Sequence, residues 1–118
     1  MREIYRITRP GAEIEIKVPH HRSDGYWGDP THVRPINQAV LSLFSKKNCR
    51  MFAERGWPNT PLADYIDVDF EIKSTNLELL PFWNERLQSG ALTHGDLDHA
   101  YSTLWNVVDE VTIILVRV

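Results

Sequence analysis

Apolar and polar residues alternate in several stretches of this chain, and a period of two is typical of half-buried strands. Two such stretches, Glu3–Thr8 and Ala12–Val18, are separated by the turn sequence Arg9-Pro10-Gly11. Together they predict an N-terminal β-hairpin. The next stretch, from Pro19 to Pro35, has no periodicity and predicts a long irregular connection.

The clearest alternation lies between Asp64 and Lys73. Four apolar side chains would share one face of a strand: Ile66, Val68, Phe70 and Ile72. Three carboxylates would share the other face: Asp67, Asp69 and Glu71. Same-face neighbours on a strand lie roughly 6.5 to 7 Å apart, so the three charges form a row without converging on one ion. We call Asp67, Asp69 and Glu71 the acidic row.

Helical spacing appears in the first half of the chain after Pro35, a residue type favoured at the first helical position. The apolar residues that follow at this spacing are Ile36, Ala39, Val40, Leu43 and Phe44. Further on, the alternation of Cys49, Met51 and Ala53 favours a short strand. The stretch from Gly56 to Pro61 contains one glycine and two prolines and predicts a loop.

The second half of the chain predicts three helical segments. Ser74 or Thr75 would cap a short helix ending at Leu80, and Pro81 would start a second segment that stops at Ser89-Gly90. Thr93 is an N-cap candidate for the last helix, because Asp96 follows in the first turn. The apolar stripe of that helix would consist of Leu97, Tyr101, Leu104, Val107 and Val108.

The chain ends with Val111–Val118, where four successive apolar residues predict an interior strand buried on both faces. The order of elements predicts an α+β fold with a mainly antiparallel sheet and helices packed on one face. That sheet would contain the N-terminal hairpin, the acidic middle strand and the buried C-terminal strand. A length of 118 residues predicts a single domain spanning 1–118.

The net charge of −3 conceals an uneven distribution. Residues 1–59 carry ten basic against six acidic side chains, and residues 60–118 carry three against ten. This balance speaks against direct binding of nucleic acid, which requires a concentrated basic surface. The apolar runs are too short to span a membrane, and a single cysteine is consistent with a reducing compartment, so we expect a cytoplasmic protein.

These features favour binding over chemistry, because no motif indicates a reaction, a catalytic residue or a cofactor. The function we predict is a small acidic inhibitor that neutralises a basic, nucleic-acid-handling protein. Bacterial immunity proteins against nuclease-type toxins, and phage inhibitors of host defence complexes, share this size and acidic character. The acidic row would supply charge complementarity to the partner, and Trp57 and Trp83 would be aromatic anchors.

Two alternatives come from other classes of protein. A small metal-dependent hydrolase would use the imidazoles and carboxylates of the 19–35 stretch, namely His20, Asp24, Asp29 and His32. A structural subunit of a larger assembly would use open sheet edges for its contacts. The sequence leaves the oligomeric state open.

Overall fold

The structure is a computed structural model that describes residues 1–118. Its helices are α1 (Arg2–Ile7), α2 (Asp24–Trp27), α3 (Gln38–Ser42), α4 (Lys46–Glu54), α5 (Leu62–Tyr65), α6 (Pro81–Gln88) and α7 (His94–Thr103). Its strands are β1 (Glu13–Pro19), β2 (Phe70–Leu79) and β3 (Val108–Arg117). They form one antiparallel sheet in the order β1-β3-β2, which confirms the predicted α+β class. None of the seven helices combines the length and apolar character needed to cross a membrane.

The predicted N-terminal hairpin is wrong in its first strand, because Arg2–Ile7 is helical, whereas its second strand is present as β1. Short apolar runs fit either period, so the alternation at Glu3–Thr8 does not distinguish a strand from a helix. The Thr8 amide and hydroxyl both donate to the Ile4 carbonyl, and Arg6 pairs with Glu3 one turn before it. The Tyr5 ring meets Phe70 edge-on at 5.3 Å, so the helix is also held by packing.

The middle of the chain differs from the prediction in two places. Residues 46–54 form helix α4 rather than a short strand, with Ser45 as its N-cap. The helix that we predicted from Pro35 is shorter, since Asn37 caps α3 and Leu43 ends it. The predicted loop at Gly56–Pro61 is confirmed.

The predicted acidic strand is wrong over its first half. Asp64 and Tyr65 belong to α5, and Asp67 has a φ of +49°, a left-handed conformation that interrupts a strand. Strand β2 begins at Phe70 and continues to Leu79. The predicted helix from Ser74 or Thr75 to Leu80 is therefore also wrong.

Two predicted helices in the last third of the chain are confirmed. Helix α6 has Pro81 in its first turn and ends at Gln88, with Ser89 as its C-cap, and Gly90 follows with a φ of +77°. Helix α7 begins with a capping box in which Thr93 and Asp96 bond reciprocally. Its stripe is shorter than predicted, because the helix ends at Thr103 and leaves Val107 and Val108 outside it.

The C-terminal strand is the central strand of the sheet, as predicted. It is not buried equally on both faces. Val111, Ile113 and Leu115 are buried, whereas Thr112, Ile114 and Val116 are only half-buried.

The chain divides into two compact units. The first unit consists of Met1–Ile16, Asn37–Thr75 and Ile113–Val118, and the second of Lys17–Ile36 and Asn76–Thr112. The buried apolar residues of the first unit include Leu41, Val68, Phe70, Ile113 and Leu115. In the second unit Ala100, Val107 and Val108 form a buried cluster, against which Leu79, Trp83 and Leu97 pack.

Candidate functional site

The acidic row does not lie along one strand face, because only Glu71 is part of β2. All three carboxylates instead reach the start of helix α4. Glu71 Oε1 accepts a hydrogen bond of 2.9 Å from the Ser45 hydroxyl, and Asp69 Oδ1 accepts one of 2.9 Å from the Lys46 amide. Asp67 Oδ1 lies 2.6 Å from Lys46 Nζ.

This arrangement gives the acidic row a structural role. The first amides of a helix lack partners within it, and negative charge there complements the helix dipole. Asp69 supplies one such partner, and Glu71 orients the Ser45 hydroxyl, which accepts from the Asn48 amide. The Asp67 side chain remains 90% exposed, and its hydrogen bond from Lys46 lowers the pKa of the carboxyl group. Of the three carboxylates, Asp67 is the most open to a partner.

The two predicted aromatic anchors occupy different environments. Trp57 is 48% exposed in its loop, stacks on Phe52 and has the Arg55 guanidinium 5.0 Å from its ring centre. Trp83 is half-buried against the Ala100 cluster, and its Nε1 donates a 2.9 Å hydrogen bond to the Asn106 carbonyl. The contacts of Trp83 are those of a core residue.

Among the metal-binding candidates, His20 is only 3% exposed. Its Nδ1 accepts from the Arg22 amide at 3.2 Å, which places the proton of the neutral ring on Nε2. Burial lowers the pKa of His20 to about 4, and the charges of His21 and Arg22 act in the same direction. Asp24 accepts a 2.8 Å hydrogen bond from the Asn106 side-chain amide.

The other two metal-binding candidates are also engaged nearby. Asp29 Oδ1 accepts from the amide and the hydroxyl of Thr31, at 2.8 Å each, which lowers the pKa of Asp29. His32 donates from Nδ1 to the Tyr26 carbonyl at 2.7 Å and stacks on the Tyr26 ring. Nowhere in residues 1–118 do three or more His, Cys, Asp or Glu side chains meet as a metal site would require.

Two cavities of the second unit open beside the end of β2, and the sequence did not predict them. One is largely apolar, about 340 Å³, and is lined by Leu77, Leu79, Leu97, Asp98, Tyr101 and Val108. The other is more polar, about 480 Å³, and is lined by Asn76, Leu77, Glu78, Leu79, Pro81, Asn84 and Glu85. The alternation of Thr75, Leu77 and Leu79 was the available signal, but it fell in a segment that we predicted to be helical.

The excess of acidic side chains lies in the second unit. That unit carries four basic against eight acidic residues, whereas the first unit carries nine against eight. The acidic row belongs to the nearly neutral first unit.

Around the two cavities Glu78 is partly neutralised by Lys17, whose Nζ lies 3.4 Å from Glu78 and 2.7 Å from Glu110. Glu85 and Asp98 are exposed and make no ion pair.

No family model, curated protein or solved structure matches this chain. The case for a function therefore rests on the surfaces described above.

Proposed function

We propose that this protein is a small inhibitor that binds a basic, nucleic-acid-handling protein and neutralises it in the cytoplasm. The observation that carries the proposal is that two carboxylates without an ion pair line neighbouring cavities of the acidic second unit, Asp98 the apolar cavity and Glu85 the more polar one. An apolar centre with a charged rim is typical of protein interfaces. An immunity protein against a nuclease-type toxin and a phage inhibitor of a host defence complex are the two forms that we propose.

The physical basis is imitation of phosphate. Proteins that handle nucleic acids concentrate Lys and Arg along their substrate path, and carboxylates on an inhibitor can occupy it. Complementary potentials of this kind speed association and set specificity. In this proposal Glu85 and Asp98 take the role predicted for the acidic row, since Asp69 and Glu71 are occupied at helix α4. Asp67 and Trp57 remain exposed and are secondary candidates.

The test is isolation of the partner from the native host at low salt, followed by measurement of its affinity and activity. We expect a partner with a pI above about 9, an affinity that falls as salt rises, and loss of the partner's activity in the complex. The double variant Glu85→Lys/Asp98→Lys should bind at least about tenfold more weakly. A matched control, Glu15→Lys/Glu54→Lys, makes the same change of charge at exposed positions in the first unit and should retain binding.

A neutral or acidic partner, or equal losses in the two double variants, would contradict the proposal. Asp67→Asn tests the acidic row separately, because it leaves the contacts of Asp69 and Glu71 with helix α4 intact, and a loss of affinity confined to that variant would return the interface to the first unit.

The two alternatives fare differently. The metal-dependent hydrolase loses support, because no three of His20, Asp24, Asp29 and His32 meet, although Asp29 Oδ2 and His32 Nε2 lie 3.9 Å apart. The structural-subunit hypothesis keeps one supporting observation, since β1 and β2 are both edge strands. Sedimentation at rising protein concentration tests that hypothesis directly.

A further inference from the structure

The outer edge of β2 is open. This strand has β3 as its only neighbour in the sheet. The Phe70 amide donates a hydrogen bond to the Phe44 carbonyl. Apart from the pairing with β3, the backbone groups of residues 71–79 make no hydrogen bond to another element. Unpaired N–H and C=O groups along an exposed strand form a template for another strand.

The opposite edge of the sheet is better protected. Strand β1 carries exposed charges at Glu13, Glu15 and Lys17 and ends in Pro19, and both charges and proline discourage pairing at an edge. The β2 segment from Ser74 to Leu77 has no charged residue, and exposed Lys73 and Glu78 flank it. The more receptive edge is therefore that of β2.

The two cavities described above open beside this edge, because both are lined by Leu77 and Leu79. Leu77 and Tyr101, which line the apolar cavity, are 37% and 38% exposed. When a peptide adds to a sheet as a strand, main-chain hydrogen bonds supply affinity and pockets for alternate side chains supply specificity. The end of β2 offers both components.

We propose that an extended segment of the basic partner adds to β2 at Asn76–Leu79 as a fourth strand. An apolar side chain of that segment enters the cavity formed with Leu97 and Tyr101, and a Lys or Arg lies at Glu85. This inference rests on the proposed function, since it takes the partner to be basic.

The negative charge around the two cavities favours a basic segment over a second copy of this chain as the added strand. The two cavities are lined by Glu78, Glu85 and Asp98 and by no Lys or Arg, and of these carboxylates only Glu78 has an ion-pair partner, Lys17 at 3.4 Å. Two copies paired through β2 would bring Glu78 and Glu85 of each near those of the other, and like charges across an interface oppose association. A basic extended segment meets no such penalty.

The probe is a peptide with free ends blocked, Lys-Leu-Lys-Thr-Lys-Val-Lys, added to the full chain. Amide hydrogen exchange should slow at residues 76–79 and not along β1, and affinity should fall as salt rises. Leu77→Lys and Glu85→Lys should each weaken binding about tenfold or more, while the control Glu54→Lys should not. A peptide with Glu in place of each Lys should not bind.

Methylation of alternate peptide nitrogens isolates the main-chain contribution. In an extended peptide, alternate N–H groups point to opposite edges of the strand. Two versions of the probe, each N-methylated along one of these edges, keep the same side chains but lose different N–H donors. Strand addition predicts that one version loses binding and the other retains it. Equal binding by the two versions would overturn the proposal, as would protection of β1 or self-association that protects β2 without peptide.

The inference and the proposed function can fail separately. If Glu85→Lys/Asp98→Lys weakens binding of the native partner but exchange at 76–79 is unchanged in that complex, the function stands and strand addition is overturned. If the peptide adds to β2 but the isolated partner is acidic, strand addition at this edge stands and the proposed function fails.

Discussion

The three carboxylates of the acidic row have different surroundings and therefore different roles. Asp69 and Glu71 bond to the first residues of helix α4, whereas Asp67 pairs with Lys46 at the surface. A surface ion pair contributes little to stability, while a helix cap contributes more. We therefore expect Asp69 and Glu71, which bond to the start of α4, to contribute more to the free energy of unfolding than Asp67 does.

The first prediction compares two members of the row. Asp69→Ala should lower the free energy of unfolding by about 1 kcal/mol, because the Lys46 amide loses its partner. Asp67→Asn should have a smaller effect, since Asn also tolerates the left-handed backbone at this position. Urea denaturation of both variants measures the difference. An equal or larger loss for Asp67→Asn would show that the capping interpretation is wrong.

The second prediction concerns pH. His20 in the unfolded chain takes up a proton near pH 6.5, but burial lowers the pKa in the folded protein to about 4. Stability present above pH 6.5 should thus be lost as the pH falls toward 4, by roughly 3 kcal/mol for the full shift. The free energy of unfolding, measured by urea denaturation at several pH values in this range, should change less with pH for His20→Gln than for the wild type.

Gln88→Ala is the control for this effect, because Gln88 is exposed on helix α6 and carries no titratable group. The pH dependence of its stability should follow that of the wild type. The pKa of His21 is lowered as well, so His20→Gln should retain part of the slope. A His20→Gln curve parallel to the wild type would remove His20 as a source of acid sensitivity.

The third prediction separates the two tryptophans. Trp83→Ala should cost about 3 kcal/mol or more, because it empties space beside Ala100, Val107 and Val108 and removes a hydrogen bond to Asn106. Trp57→Ala should cost less, since Trp57 is about half exposed. Thermal or urea unfolding ranks the two variants, and a larger loss for Trp57→Ala would contradict this division.

At the scale of elements, short segments take the structure that their neighbours allow. Helix α7 has a complete capping box and agrees with the prediction, whereas residues 74–79 pair with β3 and override a local helix signal. The connection from 19 to 35 has little regular structure, yet Asn106 bonds to its Asp24 through both side-chain atoms. A single residue, Asn106, thus holds this connection in place at Asp24 through two hydrogen bonds.

The fourth prediction tests that link. Asn106 has a φ of +57°, which glycine tolerates and alanine does not. Asn106→Gly should lose the hydrogen bonds to Asp24, and Asn106→Ala should lose about 1 kcal/mol more through backbone strain. Both variants should speed amide exchange at residues 22–27. If Ala and Gly were equally destabilising, the backbone conformation would not contribute.

At the scale of the whole molecule, charge and cores are distributed between two units. The first is nearly neutral and the second is acidic, and each has buried apolar residues of its own. Strand β3 contributes Ile113 and Leu115 to the first unit and Val108 and Val111 to the second. The single domain over 1–118 stays a prediction that unfolding experiments can decide.

The fifth prediction is cooperative unfolding. Leu115→Ala should cost about 2 to 5 kcal/mol and Val108→Ala on the order of 2 kcal/mol, because both side chains are buried. In a single domain each substitution shifts one common transition, whichever probe follows it. Calorimetry and exchange at residues of each unit provide the probes. Two transitions, each moved by only one substitution, would identify two domains.

The sequence by itself determined the α+β class, the C-terminal strand, the α6 and α7 helices and the 56–61 loop. These segments have strong local signals, such as the apolar run at Ile113–Val116, Pro81 and the Thr93–Asp96 capping box. Only the tertiary structure decided the helix at Arg2–Ile7, the start of β2 at Phe70 and the surroundings of the acidic row. Those outcomes depend on contacts between residues more than 20 positions apart, such as Tyr5 with Phe70 and Ser45 with Glu71, and local periodicity carries no record of them.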